Sequence, residues 1–141
     1  MTILINSKFE TLNPKQYQMD KIQNSKQYDL EDRTLSFAKR VIGFVNVLPK
    51  TLTNIEISKQ LVRAAGSVGA NYIEANESLS KKDFIMRVKI CRKEAKETCY
   101  WLKLVNCSEE LAKEQSGLIQ ESTELMKIFG AILEKTNPKQ F

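Results

Sequence analysis

The sequence predicts an all-α protein, an antiparallel up-down-up-down four-helix bundle, and three observations predict it. Gly and Pro are scarce, five and three residues in 141, and β-branched residues do not gather in alternating runs. Apolar residues recur at steps of four and three through four separate stretches, the spacing of one helix face packed at a shallow angle. The breaks between the stretches are short, which makes consecutive helices antiparallel neighbours. A chain of 141 residues suits one domain that buries its core without staples. Helices of about 20–28 residues would make a rod about 30–40 Å long.

Residues 1–28 read as a loosely ordered tail, polar and irregular, with Pro14 and the Asn24-Ser25 pair. Ile3, Leu4, Ile5 and Phe9 could dock, with no pattern to say where. The bundle is expected over 29–136, followed by a short C-terminal tail at 137–141. The first helix should begin near Asp29, because Asp29, Glu31 and Asp32 place negative charge where the helix dipole favours it. Leu30, Phe37, Val41, Phe44 and Leu48 form its apolar stripe, widened by Ala38, Ile42 and Val45, and Pro49 stops it.

The second helix is expected from Asn54 or Ile55 to about Ser78, with Ile57, Leu61, Ala64, Val68, Tyr72 and Ala75 on one face. A second stripe lies beside it: Val62, Gly66, Gly69 and Ile73. Each glycine inside a helix costs roughly 1 kcal/mol relative to alanine. Close approach of a neighbouring backbone is the ordinary compensation, and a hinge is the alternative, which the unbroken apolar period disfavours. Ser80 caps the third helix, with Asp83 three residues on. Its stripe is Phe84, Val88, Cys91, Ala95, Thr98, Leu102 and Val105. The fourth helix begins near Ser108 and repeats the period with Leu111, Gln115, Leu118, Ser122, Leu125, Phe129 and Ile132.

The net charge of +5 has one address. Eight basic residues and three acidic ones lie between Ser80 and Cys107, and the rest of the chain balances at fourteen of each sign. Lys82, Lys89, Lys96 and Lys103 are spaced by seven, with Arg92 and Lys93 between them, so the third helix carries one basic stripe. Such a stripe neutralises phosphates and releases counterions from a polyanion such as RNA or DNA. A merely solvated helix face is the other reading, and no Arg-rich or aromatic-interleaved motif accompanies it.

A polar constellation interrupts the apolar pattern. Arg63, Ser67, Asn71 and Glu74 share one side of the second helix, bordering the glycines. On the third, Glu94 and Glu97 break the seam of Met86, Ile90, Trp101 and Leu104. A buried carboxylate needs a partner, and Arg63 is placed to pair with Glu94 across the bundle or across a subunit interface. Arg63, Ser67, Asn71, Glu74 and Glu94 therefore read as a structural polar network that fixes register. A catalytic or metal-binding pair of Glu74 and Glu94 is the competing reading. Bundle di-metal sites normally use Glu-x-x-His motifs, and the chain has no histidine.

That absence excludes an imidazole base and imidazole metal ligands alike. No catalytic nucleophile, metal site or cofactor is expected. Cys91, Cys99 and Cys107 lie eight residues apart on one helix, too far to bridge, and read as reduced cysteines of a cytoplasmic protein. No apolar run is long enough to span a membrane, and the N-terminal residues lack the pattern of a signal peptide.

The run Gln60-Leu61-Val62-Arg63-Ala64-Ala65-Gly66-Ser67-Val68-Gly69-Ala70-Asn71-Tyr72-Ile73-Glu74-Ala75 resembles the signature of a bacterial four-helix bundle family. Its members were first noticed as products of intervening sequences within large-subunit ribosomal RNA genes. Ser80-Lys81-Lys82-Asp83-Phe84 and Lys93-Glu94-Ala95-Lys96-Glu97-Thr98-Cys99-Tyr100-Trp101-Leu102 are similar to that family's third helix, and the likeness spans about residues 29–135. Many members read Asn-Ile-Ala-Glu-Gly where this chain has Asn71-Tyr72-Ile73-Glu74-Ala75, which marks a variant subgroup. The resemblance implies a bundle assembling as a homopentamer around a central channel. It extends to the accessory variability determinant of diversity-generating retroelements, a basic barrel that partners a reverse transcriptase and nucleic acid. The expectation is a non-enzymatic oligomeric scaffold that binds RNA or DNA through the basic face of the third helix. The alternative is an adaptor that binds a partner enzyme and no nucleic acid.

Overall fold

The computed structural model describes the backbone of residues 14–136 and the side chains of residues 30–136. Four helices follow one another: α1 Pro14–Asn46, α2 Leu52–Asn76, α3 Lys81–Leu104 and α4 Glu109–Thr136, with no strand among the described residues. The chain divides into two units at Asp32–Arg33, within α1. The described part of the first unit is helix alone. The second holds the rest of α1 with α2, α3 and α4, and these form the antiparallel four-helix bundle.

α1 begins at Pro14, fifteen residues before the helix expected at Asp29. Proline is well suited to a first helical turn, where its missing N–H has no partner to lose, and no Gly or Pro follows until Gly43. The acidic cluster at Asp29–Asp32 therefore lies inside the helix. Ile3, Leu4, Ile5, Phe9 and the tail at 137–141 lie outside the described residues. At its other end α1 closes with short i→i−3 bonds, Val47 N to Phe44 O and Leu48 N to Val45 O, before Pro49 excludes further helix.

α2 starts at Leu52, before the expected Asn54 or Ile55, because Thr51 caps it. The Thr51 hydroxyl accepts from the Asn54 N–H at 3.2 Å. Ser80 caps α3 as its sequence predicts, accepting from the Asp83 N–H at 3.1 Å. Asn54 is then released for a different task. Its side chain is 2% exposed and donates to the carbonyls of Pro49 and Asn106, while its oxygen accepts from the Asn106 N–H. One amide thus ties the α1–α2 and α3–α4 connections together at one end of the bundle.

Phe37, Val41, Phe44, Leu61, Val68, Val88, Cys91, Leu102, Leu118, Leu125 and Phe129 are almost wholly buried. The rings of Tyr72 and Phe129 meet across the core at 5.9 Å, tilted by 54°, within the range favoured by aromatic pairs. The main stripes hold with one shift, while Ile42, expected to widen the α1 stripe, and Met86 and Leu104 of the α3 seam are exposed. Leu133, not Ile132, is the fully buried residue at the end of α4. A straight helix of 3.6 residues per turn drifts about 20° per heptad against a strict seven-residue repeat. After three heptads a step of four, from Phe129 to Leu133, follows the core better than a step of three.

Candidate nucleic-acid interface

Lys82, Lys89, Lys93, Lys96 and Lys103 are all exposed on α3, and Arg92 is half-buried beside them. At about 100° per residue the five lysines fall within an arc of about 80°. From Lys82 to Lys103 the row is about 31 Å long at 1.5 Å per residue. The burial of Val88, Cys91, Ala95, Thr98 and Leu102 fixes this orientation, because turning the apolar stripe inward turns the lysines out.

Several acidic side chains of α3 and α4 are engaged with other helices. Glu94 and Glu97 point toward α2, where Arg63 pairs with Glu94 at 3.3 Å and also with Glu97. On α4, Glu121 takes Arg33 of α1 at 2.8 Å, Glu114 takes Arg40 at 2.9 Å, and Glu124 lies 3.4 Å from Arg33. Arginines on α1 and α2 thus draw the carboxylates of α3 and α4 to their sides. The Arg33 hydrogen bond, more than its charge, holds the Glu121 carboxyl below the usual carboxylate range. The lysines of α3 stand on its outer surface.

The polar constellation is brought together only in part. Arg63 and Glu94 meet, with Glu94 buried at 8% exposure and Arg63 largely exposed, so the pair is not the wholly buried network expected. Glu97 completes the cluster and accepts from the Trp101 indole N–H at 3.2 Å. Asn71 donates to the Ser67 carbonyl of its own helix at 2.8 Å and accepts from Arg87 at 3.0 Å, forming a second α2–α3 bridge. Glu74 is exposed and lines a shallow groove with Leu79, Asp83, Met86, Arg87 and Ile90. It sits eleven residues along α2 from Arg63, too far for one arginine to reach as well as Glu94. The sequence pattern placed it on the right side of α2 but at the wrong height.

The glycine stripe also divides. A Cβ on Gly69 would lie 3.0 Å from Oγ1 and 3.3 Å from Cβ of Thr34, so α1 does approach α2 closely there. A Cβ on Gly66 would meet nothing within 4 Å, so close approach within the chain does not explain that glycine. Cys91 and Cys99 are buried and Cys107 is half-buried, all as free thiols. Burial pushes the Cys91 thiol up to about 12; Cys107 donates to the Gln115 side chain at 3.2 Å. Among the described residues no cluster of three or more Cys, Asp or Glu could hold a metal ion. No described helix is long and apolar enough to cross a membrane.

Sequence reasoning missed Tyr100. It is 59% exposed, on the lysine side of α3, and its ring meets Trp101 edge-on at 5.0 Å. Its position four residues from Lys96 and three from Lys103 was the available signal.

The model of the 23S rRNA-intervening sequence protein matches residues 26–131. The chain also resembles a crystal structure from Bacteroides thetaiotaomicron VPI-5482, a protein of unknown function from the S23 ribosomal protein family. The two are 33% identical, with a TM-score of 0.68 over 77% of this chain and 98% of that one. No curated protein matches the chain.

Proposed function

The chain belongs to the 23S rRNA-intervening sequence protein family, and from that premise we propose that it is a non-enzymatic, self-assembling scaffold that binds nucleic acid through α3. The observation that supports binding is the exposed row of Lys82, Lys89, Lys93, Lys96 and Lys103, with neighbouring carboxylates turned toward arginines of other helices. Contacts of this kind recognise the phosphate backbone and are sequence-independent. A fluorescence-anisotropy titration with RNA and DNA oligonucleotides across a salt series tests it. Affinity should fall steeply as salt rises, and Lys89→Glu, Lys96→Glu and Lys103→Glu together should abolish binding at unchanged molecular size. Absence of binding at low salt, or affinity indifferent to salt, would refute the reading.

Assembly is supported by apolar surface the single chain leaves open. Leu35 and Ile42 on α1, with Ile55, Val62 and Ile73 on α2, are each between 36% and 53% exposed, and Gly66 lies among them. Surface of this kind marks an interaction site. The homopentamer implied by the family resemblance would cover it. A second reading, an adaptor for a partner protein such as a reverse transcriptase, is favoured by the groove at the α1–α2 turn. Val45, Leu48, Ile55 and Val62 line it, with Lys50 and Lys59 alongside, and it would seat an apolar segment bearing acidic residues.

A further inference from the structure

We infer that the α3 face recognises single-stranded nucleic acid, RNA or DNA, with Tyr100 as a stacking platform for an unpaired base; this rests on the nucleic-acid reading above. Lys82, Lys89, Lys93, Lys96 and Lys103 form a row about 31 Å long within an arc of about 80° on α3, and Tyr100 stands within it. The residue is 59% exposed, one turn from Lys96 and just under one turn from Lys103. Large exposed aromatic rings among lysines are what base stacking requires, since every base presents a π-face and the lysines track its backbone.

The ring is also braced. Trp101 packs edge-on against Tyr100 with centroids 5.0 Å apart and planes at 73°. The Trp101 indole is in turn held by Glu97, and Glu97 by Arg63. This series of contacts restrains the Trp101 wall beside Tyr100, so less side-chain freedom is left to lose on binding.

The shape of the bundle disfavours a duplex. The major groove, about 12 Å wide, admits an α-helix. α3 is flanked by α2 and α4, whose axes lie about 8–10 Å to either side in a packed bundle, which limits how deeply it enters. Laid along the axis of a duplex, a row of about 31 Å spans nearly one helical turn of about 34 Å. Over that distance each strand winds away from the row, and only one or two phosphate crossings meet it. A single strand bends to follow all of it and leaves its bases free to stack.

The test measures the full-length protein against labelled single-stranded RNA, single-stranded DNA and duplex DNA of equal length, with heparin as a polyanion without bases. Both single strands should bind at least tenfold more tightly than the duplex; the stronger of the two identifies the source. Tyr100→Ala should weaken single-strand binding by about tenfold or more, the expected loss of one stacked base, without altering the salt dependence or heparin binding. Tyr100→Phe should restore it. Duplex binding as tight as single-strand binding, or an unchanged affinity in Tyr100→Ala, overturns the inference while leaving phosphate binding by the lysines intact. Failure of every polyanion to bind would overturn the underlying reading as well.

Discussion

Gly66 and Gly69 stand three residues apart on α2, and their surroundings give them opposite consequences. At Gly69 an added methyl would press on the β-branched Thr34, whose Oγ1 and Cβ lie 3.0 and 3.3 Å away and whose χ1 has little freedom to move. Gly69→Ala should therefore destabilise the protein by about 1 kcal/mol or more despite better helix propensity. In a thermal-melt double-mutant cycle, Thr34→Ala should recover part of that loss, a coupling that additive effects would not produce. Gly66→Ala should instead raise the stability of the isolated chain by up to about 1 kcal/mol, since nothing in the chain opposes the new methyl. Two glycines that look equivalent in the sequence differ because only one faces α1.

At the scale of elements, ion pairs join helices whose apolar faces already meet. Arg33 binds Glu121 through both Nε and Nη2, at 2.8 and 2.9 Å, a bidentate geometry that an arginine makes and a lysine does not. Because the Glu121 carboxyl is held below its usual range chiefly by that hydrogen bond, its contribution is present above the unfolded-state carboxyl value of about 4.3. It fades as pH falls through the lower folded value. Glu121→Gln should lower the melting temperature by a few degrees at pH 7, with the difference from the parent protein shrinking progressively below about pH 4. A constant difference down to pH 2 would show that the loss is one of packing and not of charge. The ion pair of Arg63 with Glu94 and the hydrogen bond from Arg87 to the Asn71 amide oxygen join α2 to α3.

For the whole molecule, the proposed assembly predicts that charge on the α1–α2 apolar side separates the subunits and leaves each bundle folded. Val62→Glu with Ile73→Glu should shift the mass in sedimentation or light scattering from oligomer toward monomer, while the helical circular dichroism stays unchanged. Both residues are exposed in the single chain, so neither substitution buries a charge within it. A parent protein that is monomeric at high concentration, or a variant whose mass is unaltered, would rule out this surface as the contact. Loss of the oligomer need not remove the basic row, because α3 carries its lysines on a different side of each bundle.

Much of this was legible in one dimension. The four helices, the Ser80 cap, the core stripes and the concentration of positive charge on α3 follow from residue type and spacing, which act locally through helix periodicity and burial. The pairing of Arg63 with Glu94 was also legible, since each interrupts an apolar seam and needs an opposite charge. The start of α2 at the Thr51 cap, Glu97 in place of Glu74, Leu133 in place of Ile132 and the division of the glycine stripe were not. Each depends on relative height and rotation of two helices, which a single helical pattern does not contain. The bundle and its basic helix were thus determined by the sequence itself. Which carboxylates turn away from the lysines, and that Tyr100 stands exposed among them, was decided only when packing set the rotation of α3 between α2 and α4.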